Sequence, residues 1–158
     1  MEQAIEKHDE QIFLAKKAIK IADHLTYMTY PLVKDLKIIV SITENIYMAV
    51  ANAMEAVLQY DRYYKRINPL AENFESRYQV FKEKCAPRYE FDRNDLSLVD
   101  ELRALIKQHA DSNMEFVRSD KLIICSPSFK MKTLDINAIK QYIIKTKKFV
   151  MKAEAALK

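Results

Sequence analysis

The fourteen residues NIYMAVANAMEAVL, 45–58, decide how this chain folds. Ala49, Ala53 and Ala56 recur at steps of four and three, the spacing that puts side chains on one helical face. Such a strip of small residues lets a neighbouring helix approach closely. Tyr47, Val50, Met54, Val57 and Leu58 supply the bulk beside it, and the polar Asn52 among them is expected to be a buried, hydrogen-bonded core amide. The run from 45 to 54 is the longest without a charge, and ten residues cannot span a bilayer. Followed outward, the pattern predicts one long helix over about 34–67, stopped by Asn68-Pro69.

Four further helices are predicted on either side. The first covers about 2–28, with Ile5, Ile12, Ala15, Ile19, Ala22 and Leu25 on one face, and Tyr30-Pro31 ends it because the residue before proline is pushed out of the α region. A short helix over about 71–84 carries Phe74, Tyr78 and Phe81 and closes at Ala86-Pro87. Another spans about 95–110, capped by Asn94 or Asp95, with Leu98, Val99, Leu102, Leu105 and Ile106 as its apolar face. The last begins after a Thr133 or Asp135 cap, and Ile136, Ile139, Ile143, Thr146, Val150, Ala153 and Leu157 form its seam. Residues 111–133 break the helical pattern. FVRSDKLIIC (116–125) pairs two apolar runs around a Ser-Asp-Lys turn, and SPSFKMKTL (126–134) alternates Phe129 and Met131 with polar residues. The expected architecture is an all-α, up-and-down bundle of about five helices in a single domain, 1–158, with a small extended or hairpin flap near 114–132.

Composition narrows the function. The 158 residues include no glycine. Gly-rich phosphate loops and the strained Gly-x-Ser-x-Gly nucleophile turn both need residues that tolerate positive φ or close backbone approach, so both classes are excluded. Any chemistry must be carried by side chains projecting from helices. The two cysteines, Cys85 and Cys125, lie 40 residues apart and are read as reduced thiols. With no apolar leader, a cytoplasmic protein is expected. The net charge of +4 is uneven: residues 130–158 carry +6 and the rest −2. The lysines of the last helix form a solvated face or meet an anion such as RNA.

Two constellations stand out. RALIKQH places Arg103 and His109 on the fourth predicted helix, as a charge stabiliser and an acid or base for phosphate chemistry. Six helical steps leave them about 120° and about 9 Å apart, so a straight helix does not align them. The structural alternative pairs Arg103 with Asp100 and places His109 at the negative end of the helix dipole. YDRYYKR interleaves Tyr60, Tyr63 and Tyr64 with Arg62, Lys65 and Arg66, a composition that stacks bases and meets phosphates. The structural alternative makes these tyrosines core-edge residues. Tyr60, Arg62, Tyr63, Lys65, Arg66 and Lys107 are the RNA-binding candidates. His8, His24 and His109 have no zinc-ligand spacing, and no metal or cofactor is expected.

In helix order the chain resembles the HEPN superfamily of helical RNA- and nucleotide-associated domains. LAKKAIKIADHL (14–25) is similar to the family's first helix. Tyr47, Ala49, Ala53, Ala56 and Leu58 match its second, and Arg103 to His109 fits its pattern of Arg, four to six residues, His. The family's polar residue after the Arg is Ala104 here, and its Arg before the Tyr-x-Ala group is Asn45. The resemblance implies a homodimer and a metal-independent endoribonuclease, with Arg103 and His109 of two protomers sharing one cleft. Some members of the family are toxins paired with a nucleotidyltransferase antitoxin, which makes such an antitoxin a candidate partner. The alternative is a non-catalytic module for dimerisation, partner docking or nucleotide binding. No membrane partner is expected.

Overall fold

The structure is a computed structural model that describes residues 2–112, 114–125 and 131–158, with side chains from residue 7 onward. Expectations that involve Ile5 or Phe129 lie outside the described side chains. The helices are α1 (Glu2–His24), α2 (Tyr30–Val33), α3 (Leu36–Tyr63), α4 (Phe74–Val80), α5 (Arg93–Asp111) and α6 (Ile136–Ala156). Two π-helical turns, Leu25–Thr29 and Phe81–Cys85, continue α1 into α2 and extend α4. Counted as continuous rods, these make five helical units, and the fold is a mostly helical bundle.

Helix α3 packs against α1, α5 and α6. The side-chain pairs give the directions. His8 of α1 meets Tyr60 of α3, and Arg103 of α5 meets Tyr47 of α3. Lys152 of α6 meets Asp95 of α5, and Lys16 of α1 meets Glu154 of α6. Lys147 of α6 likewise meets Asp23 of α1, and His109 of α5 lies beside Glu44 of α3. Along each pair of helices the numbers rise on one and fall on the other, so the four long helices run up, down, up and down. Ala15, Ala18 and Ala22 of α1 and Ala49, Ala53 and Ala56 of α3 are all buried, which makes the α1–α3 seam the one small side chains build. At the far end Phe81, Phe91 and Phe149 form an aromatic cluster, with ring centroids 4.9–6.1 Å apart. Asn52 is only half-buried, and so is not the core amide its apolar neighbours suggest.

Several boundaries differ from the expected ones. The first helical rod does not stop before Pro31. It runs through the π turn, where the Tyr30 N–H reaches back to the Leu25 carbonyl, and ends at Lys34 with φ 51°. Pro31 then sits in the first turn of α2, where a missing N–H costs little. The second π turn stands in the same relation to Ala86-Pro87, with the Ala86 N–H bonded to the Phe81 carbonyl at 2.8 Å. Helix α3 ends at Tyr63, four residues before the expected stop. Lys65 takes φ 58°, its N–H bonds the Arg62 carbonyl at 3.1 Å and the Arg66 N–H bonds the Asp61 carbonyl at 2.9 Å. This is a Schellman turn with lysine in glycine's usual place. Helix α5 is capped by Asp92, in a reciprocal capping box with Asp95, rather than by Asn94 or Asp95. Asp135 caps α6 by accepting from the Ala138 N–H.

The extended segment is a three-stranded antiparallel sheet in the order β1 (Met114–Arg118), β2 (Lys121–Cys125), β3 (Met131–Asp135). Arg118 pairs with Lys121, so Ser119 and Asp120 form a two-residue turn, and both have positive φ, 52° and 61°. Leu122, Ile124 and Leu134 bury one face of the sheet against the helices. The third strand makes this more than the expected hairpin.

Candidate functional site

The buried stripe Leu98, Val99, Leu102 and Leu105 seats α5 in the bundle and leaves Arg103 at the edge of its contact with α3. The Arg103 guanidinium lies 3.8 Å from the centre of the Phe74 ring. Its Nε donates to Glu75 Oε1 at 3.1 Å and its Nη1 to the Tyr47 hydroxyl at 3.3 Å. These partners come from α3 and the first turn of α4; the local Asp100 is not its ion-pair partner.

His109 occupies the last turn of α5. Its Nδ1 lies 2.5 Å from Glu115 Oε1 on β1, and Ser112 Oγ lies 3.0 Å from the same oxygen. Glu115 has 11% of its side chain exposed and faces the helices on the same side of the strand as Val117. A carboxylate on Nδ1 holds that nitrogen as the N–H donor and leaves Nε2 as the basic position. Nε2 lies 3.8 Å from Glu44 Oε1 of α3.

Glu44 and Tyr47 are three apart on α3 and therefore neighbours on its surface. They receive His109 and Arg103 respectively, so the 120° separation along α5 is bridged by one stripe of α3. Lys107 is exposed one turn beyond Arg103. Glu44, Tyr47, Phe74, Glu75 and Glu115 are the site residues that spacing within RALIKQH does not reveal. Glu115 has a signal of its own: alternation along MEFVR places a carboxylate at an inward strand position.

The second cluster lies elsewhere. Tyr60 is 13 residues beyond Tyr47, about 20 Å along α3. The Tyr60 ring is edge-on to Tyr64, with centroids 4.9 Å apart, and Tyr64 is edge-on to Tyr63 at 4.9 Å. Arg66 lies over the Tyr60 and Tyr64 rings at 5.6 and 5.1 Å. Its Nη1 also reaches Asp61 Oδ1 at 3.4 Å and the Tyr89 hydroxyl at 3.0 Å. Arg62 bonds the Ile67 carbonyl at 3.5 Å. Lys65 and Tyr64 are exposed, and Tyr63 is half-buried. The Arg66 guanidinium thus already has its partners inside the chain.

Those contacts lead to Asp61, which is fully buried. Its carboxylate accepts from Arg88 Nη1 at 2.7 Å, from Arg66, from the Tyr89 hydroxyl and from the Cys85 thiol at 3.2 Å. Burial and then the Asp61 hydrogen bond push the Tyr89 hydroxyl up to about 12. Burial and the Asp61 charge also push the Cys85 thiol well up, so it is held protonated and is no nucleophile. Among the described residues no group of histidine, cysteine and acidic side chains could hold a metal ion, and no helix is long and apolar enough to cross a membrane. No protein-family model matches the chain, and neither a curated protein nor a solved structure is significantly similar to it.

Proposed function

We propose that this is an RNA-directed domain of the HEPN type that cleaves single-stranded RNA without a metal. The observation that carries the reading is that Arg103 reaches Tyr47 and His109 lies beside Glu44 on one stripe of α3, with Glu115 against the imidazole. His109 Nε2 accepts the proton of a ribose 2′-hydroxyl as that oxygen attacks the adjacent phosphorus. The P–O5′ bond breaks, a 2′,3′-cyclic phosphate forms, and the 5′-oxygen takes a proton from solvent. Arg103 faces the charge that grows on the phosphoryl oxygens. To do so it exchanges Glu75 for phosphate, a cheap exchange because Glu75 is 74% exposed. Lys107 extends the positive edge, and Tyr60, Arg62, Tyr63 and Lys65 offer a more distant contact for the strand, whereas Arg66 is engaged with Asp61 and Tyr89. A second protomer would complete the cleft, and a nucleotidyltransferase-type antitoxin is the partner that accompanies this reading.

One observation favours a non-catalytic docking or nucleotide-binding module instead. Three carboxylates, Glu44, Glu75 and Glu115, stand beside Arg103 and His109, and they repel an approaching phosphate. The two readings separate in one assay: a 5′-labelled single-stranded RNA incubated with the pure protein in EDTA. Cleavage to cyclic-phosphate ends is expected, and His109→Ala should lower its rate by about 10²-fold or more with little change in Tm. Glu115→Gln should lower the rate less and move its pH profile, as a positioning residue does. A wild-type protein that leaves RNA intact, or a His109→Ala variant that still cuts it, overturns the enzyme reading.

A further inference from the structure

The face of α1 turned away from the bundle carries apolar and cationic side chains together. A shallow groove of about 720 Å³ follows it, lined by Ile12, Phe13, Ile21 and Leu25, by Lys16, Lys17, Lys20 and His24, and by Glu154 of α6 at its edge. Phe13 is 63% exposed and Ile21 38%, and Met28, also exposed, follows one turn past His24. From Ile12 to Leu25 the helix rises about 20 Å, the length of a peptide helix of three to four turns.

The charge decides what fits. Lys16 is paired with Glu154 at 2.7 Å, whereas Lys17, Lys20 and His24 are exposed and have no ion pair among the described residues. At 100° per residue Lys17 and Lys20 fall about 60° apart, with Phe13 between them. The two lysines therefore sit in the middle of the apolar arc rather than at its margins. A helix that lies in a membrane keeps its apolar face free of charge and its lysines at the flanks, which is the reverse arrangement. Two copies of the chain meeting about a two-fold axis on this face would set Lys17 and Lys20 against their own equivalents, a like-charge contact that disfavours self-association.

We propose that the outward face of α1 docks an amphipathic helix of another protein, one that carries aspartate or glutamate beside its apolar residues. Phe13 and Ile21 take the partner's apolar side chains, placed at i, i+3 or i+4 and i+7. Lys17 and Lys20, one turn apart, take carboxylates at matching one-turn spacing. This surface lies on α1 and is independent of the Arg103–His109 site.

A displayed library of sixteen-residue helical peptides, randomised at one face and its flanks, tests the proposal against the intact protein. Enriched peptides should combine apolar residues at helical spacing with an excess of acid. The best of them, made as a labelled peptide, should lose at least tenfold in affinity to the double variant Lys17→Glu, Lys20→Glu and to Phe13→Ser, with circular dichroism and Tm unchanged. Selection against the double variant should return basic peptides instead. The proposal is overturned if enriched peptides are neutral or basic on the native protein, or if the double variant binds the acidic peptide equally well. It is also overturned if phosphatidylserine vesicles bind in preference to every peptide, or if the chain self-associates through Phe13.

Discussion

Asp61→Asn is the sharpest perturbation of this fold. The substitution keeps the shape and removes the one negative charge that Arg66, Arg88, the Tyr89 hydroxyl and the Cys85 thiol all address. Two effects add. The buried ion pairs are lost, which typically costs about 3–5 kcal/mol when one partner disappears. Here the guanidinium side chains are 39% and 38% exposed, so each regains some hydration and the cost falls towards the low end. The amide nitrogen of the new side chain then points a donor at other donors and leaves one buried group unsatisfied, for about 1–3 kcal/mol. Weighing the recovered hydration against the orphaned donor gives a loss of about 3 kcal/mol, or about 6–12 °C in Tm for a domain of this size. Urea unfolding at pH 7, followed by far-ultraviolet circular dichroism, measures it. The double variant Asp61→Asn, Arg88→Met should lose distinctly less than the sum of the two single losses, because the residues share one interaction. A stability for Asp61→Asn within about 0.5 kcal/mol of native, at an unchanged denaturant slope, would refute the assignment of Asp61 as the anchor of the α3 end, since surface changes fall in that range.

Lys34→Gly should stabilise the protein by about 1 kcal/mol, since a side chain at φ 51° carries a left-handed penalty and the pair Lys34 makes with Asp120 at 3.5 Å is solvent-exposed; thermal melts check it. Asp120→Gly should gain almost nothing in the same melts, because relief at φ 61° is offset by loss of the hydrogen bond from the Tyr30 hydroxyl at 3.1 Å. The Tyr89 hydroxyl, raised to about 12 in the fold, keeps its proton where the unfolded chain has lost it. That contribution is complete below about pH 10 and disappears as pH rises towards 12, an effect on the order of 2 kcal/mol. Tyr89→Phe should flatten that part of an unfolding-against-pH curve, and an unchanged slope would contradict the assignment.

The long helices are legible because their signal is local and repeated. Ala49, Ala53 and Ala56 announce a close helical contact, and the buried alanines of α1 provide its other half. The helix ends are less legible for a specific reason. A proline pattern marks a boundary, but Leu25–Thr29 and Phe81–Cys85 widen into π turns that carry the chain up to the proline without breaking the rod. At the start of α5 the run Asp92-Arg93-Asn94-Asp95 offers three capping side chains within four residues, and only the reciprocal bonds of Asp92 with Asp95 choose between them. The site residues divide in the same way. Arg103 and His109 can be nominated from spacing, whereas the partners that orient them come from α3, α4 and β1 and need the tertiary fold. Asp61 carries a signal that was there to be read: it continues the stripe Val50, Met54, Val57 at the next helical step, so a carboxylate falls on the core face.

The missing glycine has its consequence at the turns. Among the described residues Lys34, Lys65, Glu90, Ser119 and Asp120 have positive φ, each at a cost of about 1–2 kcal/mol that glycine would avoid. Glycine would also leave no side chain there. Asp120 accepts from the Tyr30 hydroxyl and pairs with Lys34, and its carbonyl accepts from the Ile136 N–H at 3.1 Å. One strained two-residue turn thus ties the sheet to the end of the first helical rod and to the start of α6. Lys65 adopts the left-handed position that folds the chain back so that Arg66 meets the buried Asp61. The two turns differ in what their strain accomplishes. At Asp120 the strained residue itself makes the tertiary bonds, so strain and function cannot be separated by substitution. At Lys65 only the backbone is used, and the side chain remains exposed beside Tyr64. The lysine therefore stays available for an anion at a place where glycine would have served the fold equally well.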